Sequence, residues 1–160
     1  MYSYEKISLG YNEAKEKALK YLEYRSHSEK ELSDKLKQKG ASDQVICEVI
    51  EFLHEYKLVD DLEFAKKYAH DLVNLKKLGK SRIKTELFKK GINQEIINSV
   101  LYELPEEDED VLFELVKKRI RGNLEKKNFD KVMRYFIYKG YSPDKIKECI
   151  KRCEGENDGI

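Results

Sequence analysis

The chain has 160 residues, 40% of them hydrophobic, which is enough for one core or a row of small ones and too little for two large domains. Charged residues make up 39% against the usual quarter or so, but Lys plus Arg (32) nearly cancels Asp plus Glu (31), so only the distribution of charge can point to a polyanionic partner. Three scattered cysteines, no run as long as a membrane span and no N-terminal secretion signal exclude a disulfide framework and a spanning segment, and lead us to expect a reduced, cytoplasmic protein.

After an extension over residues 1–13, a first unit is expected over 14–57. It opens with a helix from Ala14 to Arg25. Ser28 and Glu31 then stand three apart, the signature of a capping box, and start a second helix that stops at KLKQKGA around Gly40. Ser42 caps a third from Asp43 to Tyr56, whose Val45, Ile46, Val49, Ile50 and Leu53 share one face.

A second unit, 58–104, begins with Asp61 as the cap of a helix running to Lys77, with Phe64, Ala65, Tyr68, Ala69, Leu72 and Val73 in pairs four apart. Ser81 is read as the cap of the next helix, which ends at ELFKKGI around Gly91, and Asn93 caps the one after it. The third unit, 105–153, holds a helix from Glu107 to Arg121, a second ending at FIYKGYS around Gly140, and a last one opened by Ser142 with Pro143 at its first position. Residues 154–160 are expected to form a flexible tail. No stretch alternates with period two, so the fold class is all-α.

Gly40, Gly91 and Gly140 are 51 and 49 residues apart, and their neighbours align. Leu32, Ile83 and Val132 stand eight before them, and Leu36, Leu87 and Phe136 four before. Ile46, Ile97 and Ile146 come six after, and Ile50, Leu101 and Ile150 ten after. One supersecondary unit used three times is implied: three tandem three-helix repeats, nine helices, in an elongated and curved array. Each lysine-glycine step is a helix stop, in which glycine takes the left-handed exit without strain and lysine faces the negative end of the dipole.

Charge is not shared evenly among the repeats. Leu62 to Gly91 carries nine basic residues against three acidic, whereas Ala14 to Tyr56 carries eight against nine. Lys117 to Lys139 again has nine against two, and between the two basic regions six of the eight residues from Glu103 to Asp110 are acidic. Such blocks suit an electrostatically matched partner with salt-sensitive affinity, or are solvated helix faces with the acids at a helix N-terminus.

Catalytic signatures do not emerge. His27, His54 and His70 are isolated, Cys149 and Cys153 share a helix face with no further ligand in view, and GKS at Gly79 to Ser81 lacks the strand and glycine of a phosphate loop. Asp60 and Asp61 read as the start of a helix. Tyr21, Tyr24, Tyr56, Tyr68, Tyr135, Tyr138 and Tyr141 read as packing between helices, with Tyr138 beside Lys139 the best candidate to stack on a base. We expect no enzyme activity, no metal and no cofactor.

The succession of EYRSHSEKELSDKLKQKG, KLVDDLEFAKKYAHD, GKSRIKTELFKKGI and RYFIYKGYSPDKIKECI resembles the RecX family of bacterial regulators of the RecA recombinase, over roughly Ala14 to Ile150. His27, Lys80-Ser81 and Tyr141 depart from its commonest pattern. The resemblance implies tandem three-helix repeats and a non-enzymatic protein that binds the RecA nucleoprotein filament in its groove. Such a protein modulates, most often by inhibition, ATP turnover, strand exchange and the coprotease activity behind the SOS response, in DNA recombination and repair. The expected partners are the RecA filament and the single-stranded or duplex DNA within it, met by a monomer without a membrane. We place the contact on Lys76, Lys77, Lys80, Arg82, Lys84, Lys89 and Lys90, with Arg119, Arg121 and Arg134 as a second set. A stand-alone helix-turn-helix-like nucleic-acid binder and a helical scaffold for another protein remain open.

Overall fold

A computed structural model describes residues 8–159. Among them there are nine helices and no strand, only a single bridge pairing Leu9 with Ala41. The helices are α1 Tyr11–Tyr24, α2 Glu29–Gln38, α3 Asp43–Glu55, α4 Asp61–Asn74, α5 Lys80–Lys89, α6 Gln94–Glu103, α7 Glu109–Ile120, α8 Lys126–Tyr138 and α9 Pro143–Asn157. The aligned positions line the core as a repeat requires. Leu32, Ile83, Val132, Leu36, Leu87, Phe136, Ile97 and Ile146 are at most 3% exposed.

The chain forms two compact units. One joins the residues up to Tyr68 with Leu87–Val100, and the other joins Ala69–Glu86 with Leu101 onward. The first is built on Ala14, Ala18, Leu32, Leu36, Val49 and Leu53, the second on Leu112, Phe113, Val116, Val132, Phe136 and Ile146.

Ser28 accepts from the Glu31 amide while the Glu31 carboxylate accepts from the Ser28 amide, completing the capping box. Ser42, Asn93 and Ser142 cap their helices as expected. Two caps fall elsewhere. Asp60, not Asp61, accepts from the Leu62 and Glu63 amides, because the Asp61 carboxylate is turned to the Glu29 amide at the start of α2, 2.9 Å away. Ser81 lies inside α5, which begins at Lys80; the carbonyl of Gly79 takes its first amides.

Helix ends shift for similar reasons. α4 stops at Asn74 because the chain leaves through a left-handed Lys77 (φ 52) and the Leu78 amide returns to the Leu72 carbonyl. α7 starts after Asp108, which caps it, and ends before a left-handed Arg121. α9 runs to Asn157, into the stretch read as a tail, where Glu156 pairs with Lys117 of α7 at 2.7 Å. α1 begins at Tyr11, inside the stretch read as an extension; residues 1–7 and Ile160 lie outside the described residues.

The three lysine-glycine steps do end helices, with φ of 96°, 76° and 98° at Gly40, Gly91 and Gly140. Two of them also make equivalent joints. Within the first unit the Ser28 hydroxyl donates to the Lys90 carbonyl (2.6 Å); within the second, the Gly79 amide donates to the Lys139 carbonyl (2.8 Å). Beside each joint a carboxylate receives the first amide of the same helix, Asp61 from Glu29 and Glu107 from Lys80. The start of one repeat's middle helix thus docks on the end of the next one's. A side chain on Gly91 would enter Lys30, and one on Gly140 would enter Arg82.

His27, 3% exposed, bonds through Nδ1 to the Arg25 carbonyl at 2.9 Å, so that nitrogen carries the proton. Burial is the largest influence on the ring and holds its pKa below the usual 6.5, outweighing the opposing backbone bond. The unfolded chain therefore takes up this proton first, and stability falls as pH drops below 6.5. We expect His27→Gln to flatten that loss, measured as the urea midpoint at about pH 8 and about pH 5.5.

Candidate functional site

In the second compact unit the turn that follows α4, the end of α7 and one face of α8 enclose an open groove of about 620 Å³. Its floor is apolar, from Leu115, Ile120, Val132 and Phe136, and its walls carry Lys76, Lys77, Lys118, Arg119, Arg121, Lys131 and Lys139. No carboxylate lines it.

Local chemistry shapes each wall. The α7 exit passes through Arg121 and Gly122, both left-handed, and the Asn123 amide closes on the Ile120 carbonyl at 3.0 Å. Asn128 then donates to the Ile120 and Asn123 carbonyls (3.2 and 2.8 Å), which fixes the turn against α8. The α4 exit is held by Tyr141, whose hydroxyl donates to the Lys77 carbonyl at 2.7 Å. Burial, helped by Glu107, pushes that phenol up to about 12, so it remains a donor throughout the neutral range. Lys131, Tyr135 and Lys139 follow at intervals of four and so form one stripe along α8.

The groove gathers its cations without acids between them. Several cations elsewhere meet acids: Lys80 with Glu106, Arg82 with Glu86, Lys90 with Glu31, Lys145 with Glu107 and Arg152 with Asp110. Of the acidic block before α7, Glu106, Glu107 and Asp110 are taken up in these pairs and Asp108 in the cap. Among the described residues no ion pair forms at any of the seven groove cations. Arg119 instead lies 3.4 Å above the centre of the Tyr135 ring.

Of the positions singled out in the sequence, the groove gathers Lys76, Lys77, Arg119 and Arg121. Lys80 and Arg82 are engaged in the pairs just named, and Lys90 belongs to the first unit's joint. Lys84, Lys89 and Arg134 are exposed and do not line the groove. Lys118, Lys131, Lys139 and Tyr135 are the additions, all within the second basic run. Tyr138 is outside it and exposed, with Arg82 stacked 4.4 Å from its ring centre.

The remaining chemistry is packing and capping. Asp60 and Asp61 serve helix starts, and Cys149 and Cys153 are buried thiols that burial pushes upward. Among the described residues no helix is long and apolar enough to cross a membrane, and no group of His, Cys, Asp and Glu could hold a metal ion.

Residues 14–53 match a family model described as RecX, first three-helix domain, and residues 60–101 match RecX, second three-helix domain. The regulatory protein RecX of Clostridioides difficile (strain 630) is 40% identical over 149 residues, 89% of this chain and 68% of that one. That of Clostridium acetobutylicum is 35% identical over 154 residues, 91% of this chain and 71% of that one. The crystal structure of RecX from Lactobacillus salivarius superposes with a TM-score of 0.76 at 26% identity, covering 90% of this chain and 96% of that one.

Proposed function

The chain belongs to the RecX family of regulatory proteins, and from that premise we propose that it binds the RecA nucleoprotein filament and restrains its ATP turnover, strand exchange and coprotease activity. It acts by reversible association in the cytoplasm, without chemistry of its own. The observation that carries the reading is the groove of seven cations that no carboxylate neutralises. A filament built on DNA presents phosphates and acidic protein faces, and an uncompensated basic groove gains from both through screened Coulomb attraction and counterion release. Charge over the whole chain sums to only +1, so attraction has to come from a local excess of this kind.

The test is a titration into preformed RecA filaments, following ATP hydrolysis at two salt concentrations. Inhibition should weaken as salt rises. The triple variant Lys76→Glu, Arg119→Glu, Lys131→Glu should need about tenfold more protein for the same effect while keeping its circular dichroism. Reversing Lys80, Arg82 and Lys84 together should cost less inhibition, since two of these are already neutralised internally. A folded groove variant that inhibits as well as the parent sinks the assignment of the groove. No effect of the parent on the filament at either salt sinks the function.

A further inference from the structure

We infer that the Tyr141 hydroxyl is a positioning group for the groove: it fixes the turn after α4 in the shape that presents Lys76 and Lys77 to a ligand, a task that packing of the repeat does not require. The inference rests on the reading of this groove as the filament-facing surface and adds what sets one of its walls.

The repeats themselves supply the comparison. The residue after each lysine-glycine step is Ala41, Ile92 or Tyr141. Its amide returns to the carbonyl of Leu36, Leu87 or Phe136, at 3.0, 3.2 and 3.1 Å, and the residue is at most 9% exposed in every copy. An alkyl side chain satisfies this place in two copies. The third copy alone carries a hydroxyl, and it leaves its own repeat to donate to the Lys77 carbonyl, 64 residues earlier, at 2.7 Å.

Backbone bonds anchor both ends of the turn that it reaches. The Lys77 and Leu78 amides return to the Val73 and Leu72 carbonyls (3.2 and 3.1 Å), and the Gly79 amide is pinned to the Lys139 carbonyl (2.8 Å) where the Gly140 backbone leaves no room for a side chain. Between these anchors the carbonyls are held by side chains. That of Lys76 accepts from the Lys139 ammonium at 3.5 Å and that of Lys77 from Tyr141. Three residues with side chains are left-handed, Lys57, Lys77 and Arg121. Among the described residues a side-chain donor reaches the carbonyl of Lys77 and of neither other one, so the latch is no general need of such exits.

Preorganisation gives the latch its effect. A turn that is ordered only when a ligand arrives subtracts that ordering from affinity, whereas one fixed beforehand does not. Lys76 and Lys77 are exposed and end in long flexible chains, so their backbone is the part the protein can fix in advance. Tyr141 does not line the groove and acts from beneath it. Lys139 shares the task, since it stands in the wall with its ammonium turned to the Lys76 carbonyl.

The experiment titrates inorganic polyphosphate, as a probe of where the cations stand, and in parallel preformed RecA filaments. It uses the parent, Tyr141→Phe, Lys77→Gln, Arg121→Gln and the doubles of each glutamine variant with Tyr141→Phe. Tyr141→Phe keeps the ring and removes the bond. It should bind polyphosphate about threefold more weakly, need about threefold more protein for half-inhibition of ATP hydrolysis, and exchange the Lys77 and Leu78 amides faster. Lys77→Gln should cost about fivefold in the parent and about twofold or less beside Tyr141→Phe, whereas Arg121→Gln, on another wall, should cost the same in both. A hydroxyl with only a structural role would lower the urea midpoint and leave the two losses additive. Tyr141→Ile, which installs the side chain of the second repeat, repeats the comparison without the ring. The inference is overturned if Tyr141→Phe binds as the parent does, if its loss adds to that of Lys77→Gln, if the parent fails to bind polyphosphate at low salt, or if both Tyr141 variants fail to fold. Coupled losses on polyphosphate in a parent that leaves RecA filaments unaffected would retain this inference and remove the function proposed above; filament inhibition that is equal in parent and Tyr141→Phe would do the reverse.

Discussion

Gly140→Ala will destabilise the second unit by about 3 kcal/mol or more, read as a lowered urea midpoint with an unchanged slope. Two independent penalties meet at this position. The residue sits at φ 98, where a side chain is strained by about 1 kcal/mol. In addition, a Cβ there would lie within 2.8 Å of the Arg82 amide nitrogen, the Arg82 Cβ and the Gly79 carbonyl oxygen. Two of these are backbone atoms at the start of α5, which cannot swing aside as a side-chain tip would. The helix would have to back away, and the Gly79 amide would lose its bond to the Lys139 carbonyl. Gly122→Ala separates the two penalties: its φ is 72 with nothing within 4 Å, so it should cost only about 1 kcal/mol. Gly155→Ala, inside α9 with open space around it, should stabilise by about 0.5–1 kcal/mol. Equal losses at positions 140 and 122 would show that the close approach carries no weight.

Glu31→Ala is expected to cost about 2–3 kcal/mol near neutral pH, from unfolding followed by far-UV circular dichroism. The carboxylate closes the capping box, accepts from both sides of the Arg25 guanidinium (3.1 and 3.2 Å), and meets the Lys90 ammonium at the first unit's joint. Removing it costs a cap, worth about 1 kcal/mol, and leaves two cations without their acceptor. Burial alone would raise its pKa, but the bonds from Arg25, Lys90 and the Ser28 amide outweigh that and hold it at about 2 against the usual 4.5. A depressed carboxylate contributes its stability above the unfolded value and loses it as pH falls through the folded one. The gap between parent and variant should therefore narrow from pH 4.5 down to about 2. A gap that stays constant over that range would mean that Glu31 acts only through its shape.

What could be read from the chain beforehand was what depends on neighbours in sequence. The helical stripes, the three glycine exits and the caps at Ser28, Ser42, Asn93 and Ser142 involve residues within a turn of one another. Asp61 and Ser81 escaped because their surroundings are supplied from elsewhere in the chain: the Glu29 amide recruits Asp61, and the Gly140 backbone presses on Gly79. Counting charges located the two basic regions but treated every lysine alike. Lys80 and Lys90 are neutralised by Glu106 and Glu31, 26 and 59 residues away, which no local count reveals. The α8 stripe of Lys131, Tyr135 and Lys139 was visible at a spacing of four, yet each member also has a structural explanation, and only the groove's lack of acids decides between them.

The two joints, alike in plan, fail in different ways. In the first, the Ser28–Lys90 contact is backed by a carboxylate that protons can switch off. In the second, the Gly79–Lys139 contact is backed by close-packed backbone, by a phenol that keeps its proton across the acid range, and by the Glu107 carboxylate on the Lys80 amide. Both seams therefore carry a carboxylate, and what sets them apart is the close backbone approach of Gly140 to Gly79 and Arg82, which only substitution can disturb. A single unit copied along a chain has in this way acquired one seam knit by a side-chain network and one set by backbone contact.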